Sequence, residues 1–169
     1  MSLRPMNPAS LTPEVFQIFL KNNALLSAGN QASCNTMTIG WGQLGTLWNL
    51  PVCTVYVRPE RYTYQFMETH DYFTVSVLAK ADRDTARICG TKSGRDLDKI
   101  QECGLTVQYG AGDAPYFAEA ELVLVCRKLY AQDMEPAAVL DERVPKFYTE
   151  KMGNWHRVYC GEIVEAYMK

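Results

Sequence analysis

The shortness of the links between β-rich runs limits this chain more than any other feature. Gly40-Trp-Gly42-Gln-Leu-Gly45 has the G-x-G-x-x-G spacing of a dinucleotide-binding unit and follows a strand-like run. Only six residues, 46–51, separate it from the next such run at 52–57. A helix that starts inside the glycines and returns to a parallel strand needs about a dozen residues. The segment therefore reads as a glycine loop at a corner between strands, and antiparallel pairing is expected.

The rest of the chain supports that expectation. Thr12 as cap and Pro13 at the first position open a short helix with an apolar stripe of Val15, Phe16, Phe19 and Leu20, ending near Asn22-Asn23. Residues 25–28 and 36–41 flank a turn-like Gly29-Asn30 and read as a hairpin. The clearest strand is 52–57; Pro59 then introduces a helix over 61–69, with Tyr62, Phe66 and Met67 toward a core, and 72–78 alternates as a strand. Helical stretches at 82–89 and 96–103 each end on a glycine, Gly90 and Gly104, where a left-handed residue is wanted. Strands at 105–109, 120–129 and 158–167 follow. The fold class is mainly β with a few helices, a closed antiparallel barrel.

At 169 residues the chain fits one domain, 1–169, with residues 1–23 as an N-terminal extension and helix. The apolar fraction is 47% and the charged fraction 21%, enough to bury a core and too little charge for disorder. A net charge of −2 supplies no global field for nucleic acid or an anionic membrane, so any anion must be held by local groups. Neither a signal peptide nor a run of about 18 apolar residues is visible, and a cytoplasmic protein is expected. The six cysteines are scattered singly, without metal-ligand spacing, and read mostly as buried thiols.

Two cationic helix starts carry the chemistry. Arg58-Pro-Glu-Arg-Tyr-Thr63 sets two guanidinium groups and a hydroxyl where free N–H groups and the helix dipole attract phosphate. Alone, a solvated and capped helix start explains it equally well. In the segment 91–99, Lys92, Ser93 and the Gly94 backbone suit a phosphate or the polar edge of a ring, with Asp96 or Ser93 capping the helix. Alone, it reads as a capped surface helix; two such segments in one small domain point to an anion site. Asn35-Thr-Met-Thr38 adds hydroxyls and an amide at a strand start, and Trp155-His156-Arg157 an aromatic wall with a titratable neighbour. His70 reads as a turn residue. No Gly-x-Ser-x-Gly, no Ser, His and acid set at motif spacing and no paired metal ligands occur, so hydrolase and metalloenzyme readings lack support.

Taken in order, Asn-Thr-Met-Thr-Ile-Gly-Trp-Gly (35–42), Val-Tyr-Val-Arg-Pro-Glu-Arg-Tyr-Thr (55–63), Asp-Tyr-Phe-Thr-Val-Ser (71–76), Thr-Lys-Ser-Gly-Arg-Asp-Leu-Asp-Lys (91–99) and His-Arg-Val-Tyr-Cys-Gly-Glu-Ile-Val-Glu (156–165) resemble the flavin reductase-like family of FMN-binding split barrels, which includes flavoredoxins. The resemblance runs from about Leu25 to the end and is weakest over 111–151. It implies a homodimer of split antiparallel β-barrels with FMN near the subunit interface. Carried over, Asn35, Thr36, Met37, Thr38 and Trp41 face the isoalloxazine, chiefly through backbone groups, and Arg58 and Thr63 take the phosphate end. Lys92, Ser93 and Gly94 complete the cofactor site with Asp98 and Lys99; Trp155 stands where many relatives carry a tyrosine, and His156 matches.

The implied reaction is hydride transfer from NADH or NADPH to the flavin N5, with the protein stabilising charge near N1 and O2. Lys92 and His156 are the catalytic candidates. Two alternatives are an electron-transfer flavoprotein that exchanges electrons with a redox protein and a non-enzymatic module binding flavin or a haem-type ligand.

Overall fold

The computed structural model describes residues 2–11, 15–20, 24–79, 83–150 and 153–169. In chain order its elements are β1 (Arg4–Met6), α1 (Val15–Leu20), β2 (Ala24–Gly29), β3 (Cys34–Ile39), β4 (Gly42–Leu47), β5 (Leu50–Val57), α2 (Tyr62–Thr69), β6 (Tyr72–Val77), α3 (Arg83–Thr91), α4 (Lys99–Glu102), β7 (Val107–Tyr109), β8 (Pro115–Phe117), β9 (Leu122–Asp133) and β10 (Arg157–Met168). Seven strands pair antiparallel in the order β3-β2-β6-β9-β10-β5-β4. Twelve-residue β10 has room for two partners on one edge, β5 along 157–162 and β1 along 166–168.

The ends of that order are joined by Gly40 and Trp41 alone. Laid flat, seven strands would hold β3 and β4 about 29 Å apart. Three Cα steps, Ile39 to Gly42, span at most about 11 Å. The sheet therefore curls until its two ends approach without pairing, which is an open, split barrel. The antiparallel, mainly β expectation holds, but the closure read from the strand pattern does not, because β3 and β4 do not pair.

β9 shows why its apolar run is continuous. Leu122, Leu124 and Cys126 enter the cluster inside the curled sheet with Phe73, Val75, Val55 and Tyr159. Val123 and Val125 face the other way, into a second cluster with Leu25, Cys89 and Phe117 beneath β7, β8 and the helices. Both faces are buried, so alternation disappears from the sequence.

Several expectations are corrected. The glycine loop is strand β4, closed onto β5 by a two-residue turn in which Trp48 and Asn49 have φ of 52° and 59°. Gly90 lies inside α3 rather than stopping it; a Cβ there would stand 3.3 Å from Thr38 Cβ. Gly104, by contrast, takes a left-handed φ of 61° after α4, as expected. That helix is only four residues long and is capped by Asp98, whose carboxylate accepts from the Ile100 and Gln101 amides, not by Asp96 or Ser93. On α1 the buried residues are Ile18 and Phe19, while Phe16 and Leu20 are exposed, because Phe19 lies over Gly42 where no Cβ would fit. The Thr12 cap, Pro13, the stop near Asn22-Asn23 and the start at Asp82 lie outside the described residues. Cys53, Cys89, Cys126 and Cys160 are buried, Cys34 and Cys103 half-buried, and all six are free thiols. Among the described residues no helix is long and apolar enough to cross a membrane.

Candidate functional site

The segment leaving β5 turns into α2 with Arg61 at the N-cap, extended and without a side-chain cap; the Tyr64 amide donates to the Arg61 carbonyl at 2.9 Å, while those of Tyr62 and Thr63 make no bond among the described residues and can meet an anion. Opposite lies the C-terminal turn of α3, whose last carbonyls need donors. Arg61 Nη1 donates to the Gly90 carbonyl at 2.9 Å, and Lys99 Nζ donates to the Cys89 carbonyl at 3.4 Å. Burial draws the pKa of both side chains downward; Glu60 opposes this at Arg61, and the Cys89 thiol opposes it at Lys99.

Between these helix ends is a cleft of about 220 Å³ lined by Arg61, Thr63, Lys92, Ser93, Gly94 and Arg95, among others. Four cations, Arg61, Lys92, Arg95 and Lys99, border it against the single carboxylate of Glu60. That carboxylate is already bonded, accepting from the Asn154 amide at 2.9 Å. The Gly94 loop presses close: a Cβ would meet Asn35 Oδ1 at 2.1 Å and Tyr62 Cδ1 at 2.8 Å, so only glycine fits without displacing them. Asn35 in turn donates to Thr63 Oγ1 at 2.7 Å, leaving the Thr63 hydroxyl hydrogen free to donate elsewhere.

Strand β3 forms the neighbouring wall and is an end strand of the sheet. Lys99, 3% exposed, donates through Nζ to the Thr36 carbonyl, which shows that the Thr36 backbone faces away from β2. Outward and inward residues alternate on an antiparallel strand, so the Thr38 backbone faces outward as well and that of Met37 faces β2. The side chains are otherwise engaged: Thr36 Oγ1 donates to the Leu26 carbonyl at 3.2 Å, and Thr38 Oγ1 to the Ala86 carbonyl at 2.6 Å.

A second group of expected residues gathers elsewhere. Arg58 donates to the carbonyls of Asn154 at 3.0 Å and Phe147 at 2.9 Å and lies 5.3 Å from the Tyr148 ring. Tyr148 stacks on Trp155 with centroids 3.8 Å apart, and its hydroxyl is 3.0 Å from His156 Nδ1. Trp41 leans on His156 at 4.8 Å and on Phe147 at 5.7 Å. Burial, reinforced by the nearby Arg58 charge, pulls the His156 pKa down to about 4, so the imidazole is neutral at pH 7. This aromatic group borders an apolar cleft of about 850 Å³ that Phe16, Phe19, Leu20, Trp41, Tyr56 and Tyr148 help to line.

Residues 10–169 match the model of the flavin reductase like domain. The chain belongs to the flavin reductase-like family. Among solved structures it is similar to a flavoredoxin from Methanosarcina acetivorans, at 25% identity and a TM-score of 0.70 over 95% of this chain and 74% of that one. It also resembles the flavoredoxin of Desulfovibrio vulgaris (Miyazaki F), at 21% identity and 0.68 over 97% and 77%. A third is the NADH:FAD oxidoreductase of Streptomyces globisporus C-1027 in complex with NAD and FAD fragments, at 19% identity and 0.61 over 86% and 73%. A search of curated proteins found no match.

In this flavin reductase-like chain the expected site residues thus divide. Thr36, Met37, Thr38, Thr63, Lys92, Ser93, Gly94 and Lys99 surround the cationic cleft or its β3 wall, with Asn35 fastening Thr63. Trp41, Arg58, Trp155 and His156 sit in the aromatic group, and the Asp98 carboxylate is engaged as a helix cap. Arg61, the second guanidinium of the first cationic helix start, and Arg95 also border the cleft, though the resemblance carried neither over as a ligand. The signal for Arg61 was its place directly before the helix, where a side chain lies closest to the free amides.

Proposed function

We propose that this chain binds FMN and transfers hydride to it from NADH or NADPH, acting as a flavin reductase. The observation that carries the proposal is the four-cation cleft at the uncapped start of α2, beside the outward backbone of Thr36 and Thr38. The donor set fits both ends of FMN: a cationic, amide-rich pocket for a phosphate and an end strand, β3, for a flat hydrogen-bonding ring. Bound FMN supplies a hydride-accepting N5 and an N1–O2 edge that gains negative charge.

Arg61, Lys92, Ser93 and the Gly94 backbone hold the phosphate, with the Thr63 hydroxyl donating to it. The outward backbone of Thr38 orients the ring, the Thr36 carbonyl being held from behind by Lys99, and Asn35 acts through Thr63 as a positioning residue. Lys99, buried behind β3, places a fixed positive charge near the ring edge, where it is worth more than in water. Lys92, an exposed cation at the rim, attends to the phosphate side. His156 at neutral pH holds the Tyr148 hydroxyl and does not supply a proton. Phe16 and Leu20, 79% and 70% exposed beside the apolar cleft, support a homodimer that covers them.

The absorbance spectrum of freshly purified protein tests the first step: flavin peaks are expected, and colourless protein that refuses added FMN overturns the reading. Anaerobic titration with NADH and NADPH tests the second. Rapid bleaching is expected; flavin left oxidised by both overturns the reductase and moves the chain to electron exchange with a protein.

A further inference from the structure

Among the described residues two pairs of thiols are in hydrogen-bonding contact, and they differ in what can reach them. Cys53 on β5 and Cys126 on β9 meet beside Gly161 of the strand between them, β10, where an added Cβ would stand 2.9 Å from Cys126 Cβ. Both are sealed in the core. Cys89 and Cys103 form the second pair. Cys89, on α3, is buried, whereas Cys103, at the C-cap of α4, is half-buried and partly open to solvent.

The second pair stands where the cationic cleft is built. The Cys89 carbonyl accepts from Lys99 Nζ at 3.4 Å and Arg61 Nη2 at 3.5 Å, and the Cys103 amide donates to the Lys99 carbonyl at 3.1 Å. Lys99 and Cys103 are four residues apart and share one helix face, with the Lys99 charge near both thiols. The two helices are not equally fixed. Thr38 Oγ1 holds α3 to β3 by donating to the Ala86 carbonyl at 2.6 Å, and Gly90 packs directly against Thr38. α4 is four residues between the Asp98 cap and left-handed Gly104. A pull between the two sulfurs therefore moves α4.

Burial first, and the adjacent Cys103 thiol next, push the Cys89 thiol up to about 12, so by itself it stays protonated and inert. The partly exposed Cys103 is the sulfur an oxidant meets. We infer that hydrogen peroxide joins Cys89 and Cys103 in a disulfide that draws Lys99 off the β3 wall and loosens the flavin site. Peroxide oxidises the Cys103 thiol to a sulfenic acid and is itself reduced to water. The Cys89 sulfur then displaces the sulfenic hydroxyl, which leaves with the Cys89 proton as a second water. One peroxide thus takes up the two electrons and two protons that the two thiols give. Bonded sulfurs stand about 2 Å apart, well inside a hydrogen-bonded contact, so α4 is pulled toward Cys89. Lys99 Nζ already divides itself between the Thr36 and Cys89 carbonyls, and the pull tips it to Cys89. The loss of flavin affinity rests on the proposed FMN site; the bond itself does not. Reduced flavin left without an acceptor passes its electrons to dioxygen and forms the peroxide, which makes the bond a brake on the proposed reaction.

The test treats the full chain, reduced and freed of flavin, with hydrogen peroxide, alkylates the remaining thiols in denaturant and maps the peptides by mass spectrometry. A cross-link between Cys89 and Cys103 is expected, with Cys53 and Cys126 still alkylated. In fluorescence titration the oxidised chain is expected to bind FMN about fivefold more weakly, with affinity restored by dithiothreitol. Cys103→Ser, at a half-buried position, is expected to bind FMN as the reduced protein does and to keep that affinity in peroxide. Cys89→Ala is expected to leave Cys103 as a sulfenic acid that dimedone traps. Oxidation of Cys103 without a link to Cys89, or a link between other cysteines, overturns the bond. A mapped bond with unchanged FMN affinity overturns the loosening. A reduced chain that binds no FMN removes the flavin reading and the brake with it, while the peptide map still decides the bond.

Discussion

Arg58 and Arg61 sit three residues apart on one segment, carry the same charge and are put to opposite uses. The Arg58 guanidinium spends its donors on the carbonyls of Asn154 and Phe147 and lies near the Tyr148 ring, fastening the loop before β10. Gly153 follows the same constraint, with φ of 97° and no room for a Cβ beside Glu60 Oε1 at 2.0 Å. The Arg61 guanidinium donates to the Gly90 carbonyl at 2.9 Å and, at 3.5 Å, to the Cys89 carbonyl, and it also lines the cleft. A guanidinium has five N–H donors in a fixed fork, so what it can offer a ligand is what the fold has not already used. Charge in the sequence marks both residues equally; the difference lies in which side of the segment the neighbouring chain approaches.

Acid separates the two sides most strongly. His156 has its pKa lowered to about 4, first by burial and then by Arg58, against an ordinary value of about 6.5 in the unfolded chain. The folded state therefore favours the neutral ring. Its contribution to stability is fully present above about pH 6.5, erodes as the pH falls and is gone below about pH 4, a loss of about 3 kcal/mol. Urea midpoints at pH 7.5 and 4.5 measure it, and His156→Gln is expected to flatten the difference. A wild-type midpoint unchanged over this range would show that the imidazole is not held neutral by the loop.

The arginines themselves come next. Arg61→Ala is expected to weaken FMN binding by about 1.5–3 kcal/mol, the loss of a charge-assisted contact to phosphate. Arg58→Ala is expected to change FMN affinity by less than about 0.5 kcal/mol and to lower folding stability by about 1–2 kcal/mol, through lost carbonyl bonds and the contact with Tyr148. Fluorescence titration and chemical denaturation of both variants read the two effects separately. A larger binding loss in Arg58→Ala would return the phosphate to Arg58.

The readable and unreadable parts of this molecule differ in physical kind. The strand at 50–57 and the double-faced run of β9 follow from local β-branched and apolar content, and the short links between strands exclude parallel crossovers. β4 escaped because Gly-Gln-Leu-Gly-Thr-Leu has little strand propensity and is held by β5 through a turn with Trp48 in a left-handed conformation. The buried face of α1 is set by Gly42, which is distant in sequence, and not by the helix's own stripe. In the site, local chemistry singled out Lys92, Ser93, Gly94 and Thr63, each at a helix end that advertises itself, and the fold brings the four to one cleft. Local chemistry could not rank Arg58 against Arg61, because donor use depends on the loop at 147–154, which no local pattern links to Arg58.

Asp98 gives the smallest effect and the sharpest discrimination on the Arg61 side. Its carboxylate caps α4 by accepting two amides at 3.1 Å, and α4 carries Lys99 to the Thr36 carbonyl. If capping is its whole role, Asp98→Asn keeps the function, because asparagine caps as well as aspartate, and stability and FMN affinity both stay near wild type. Asp98→Ala then loses about 1 kcal/mol of stability, with FMN affinity reduced only as far as Lys99 is loosened. A carboxylate that touched the flavin directly would behave otherwise: Asn would alter FMN affinity while leaving the denaturation midpoint unchanged. Comparing the two variants in the same pair of assays therefore separates a residue that positions Lys99 from one that contacts the cofactor.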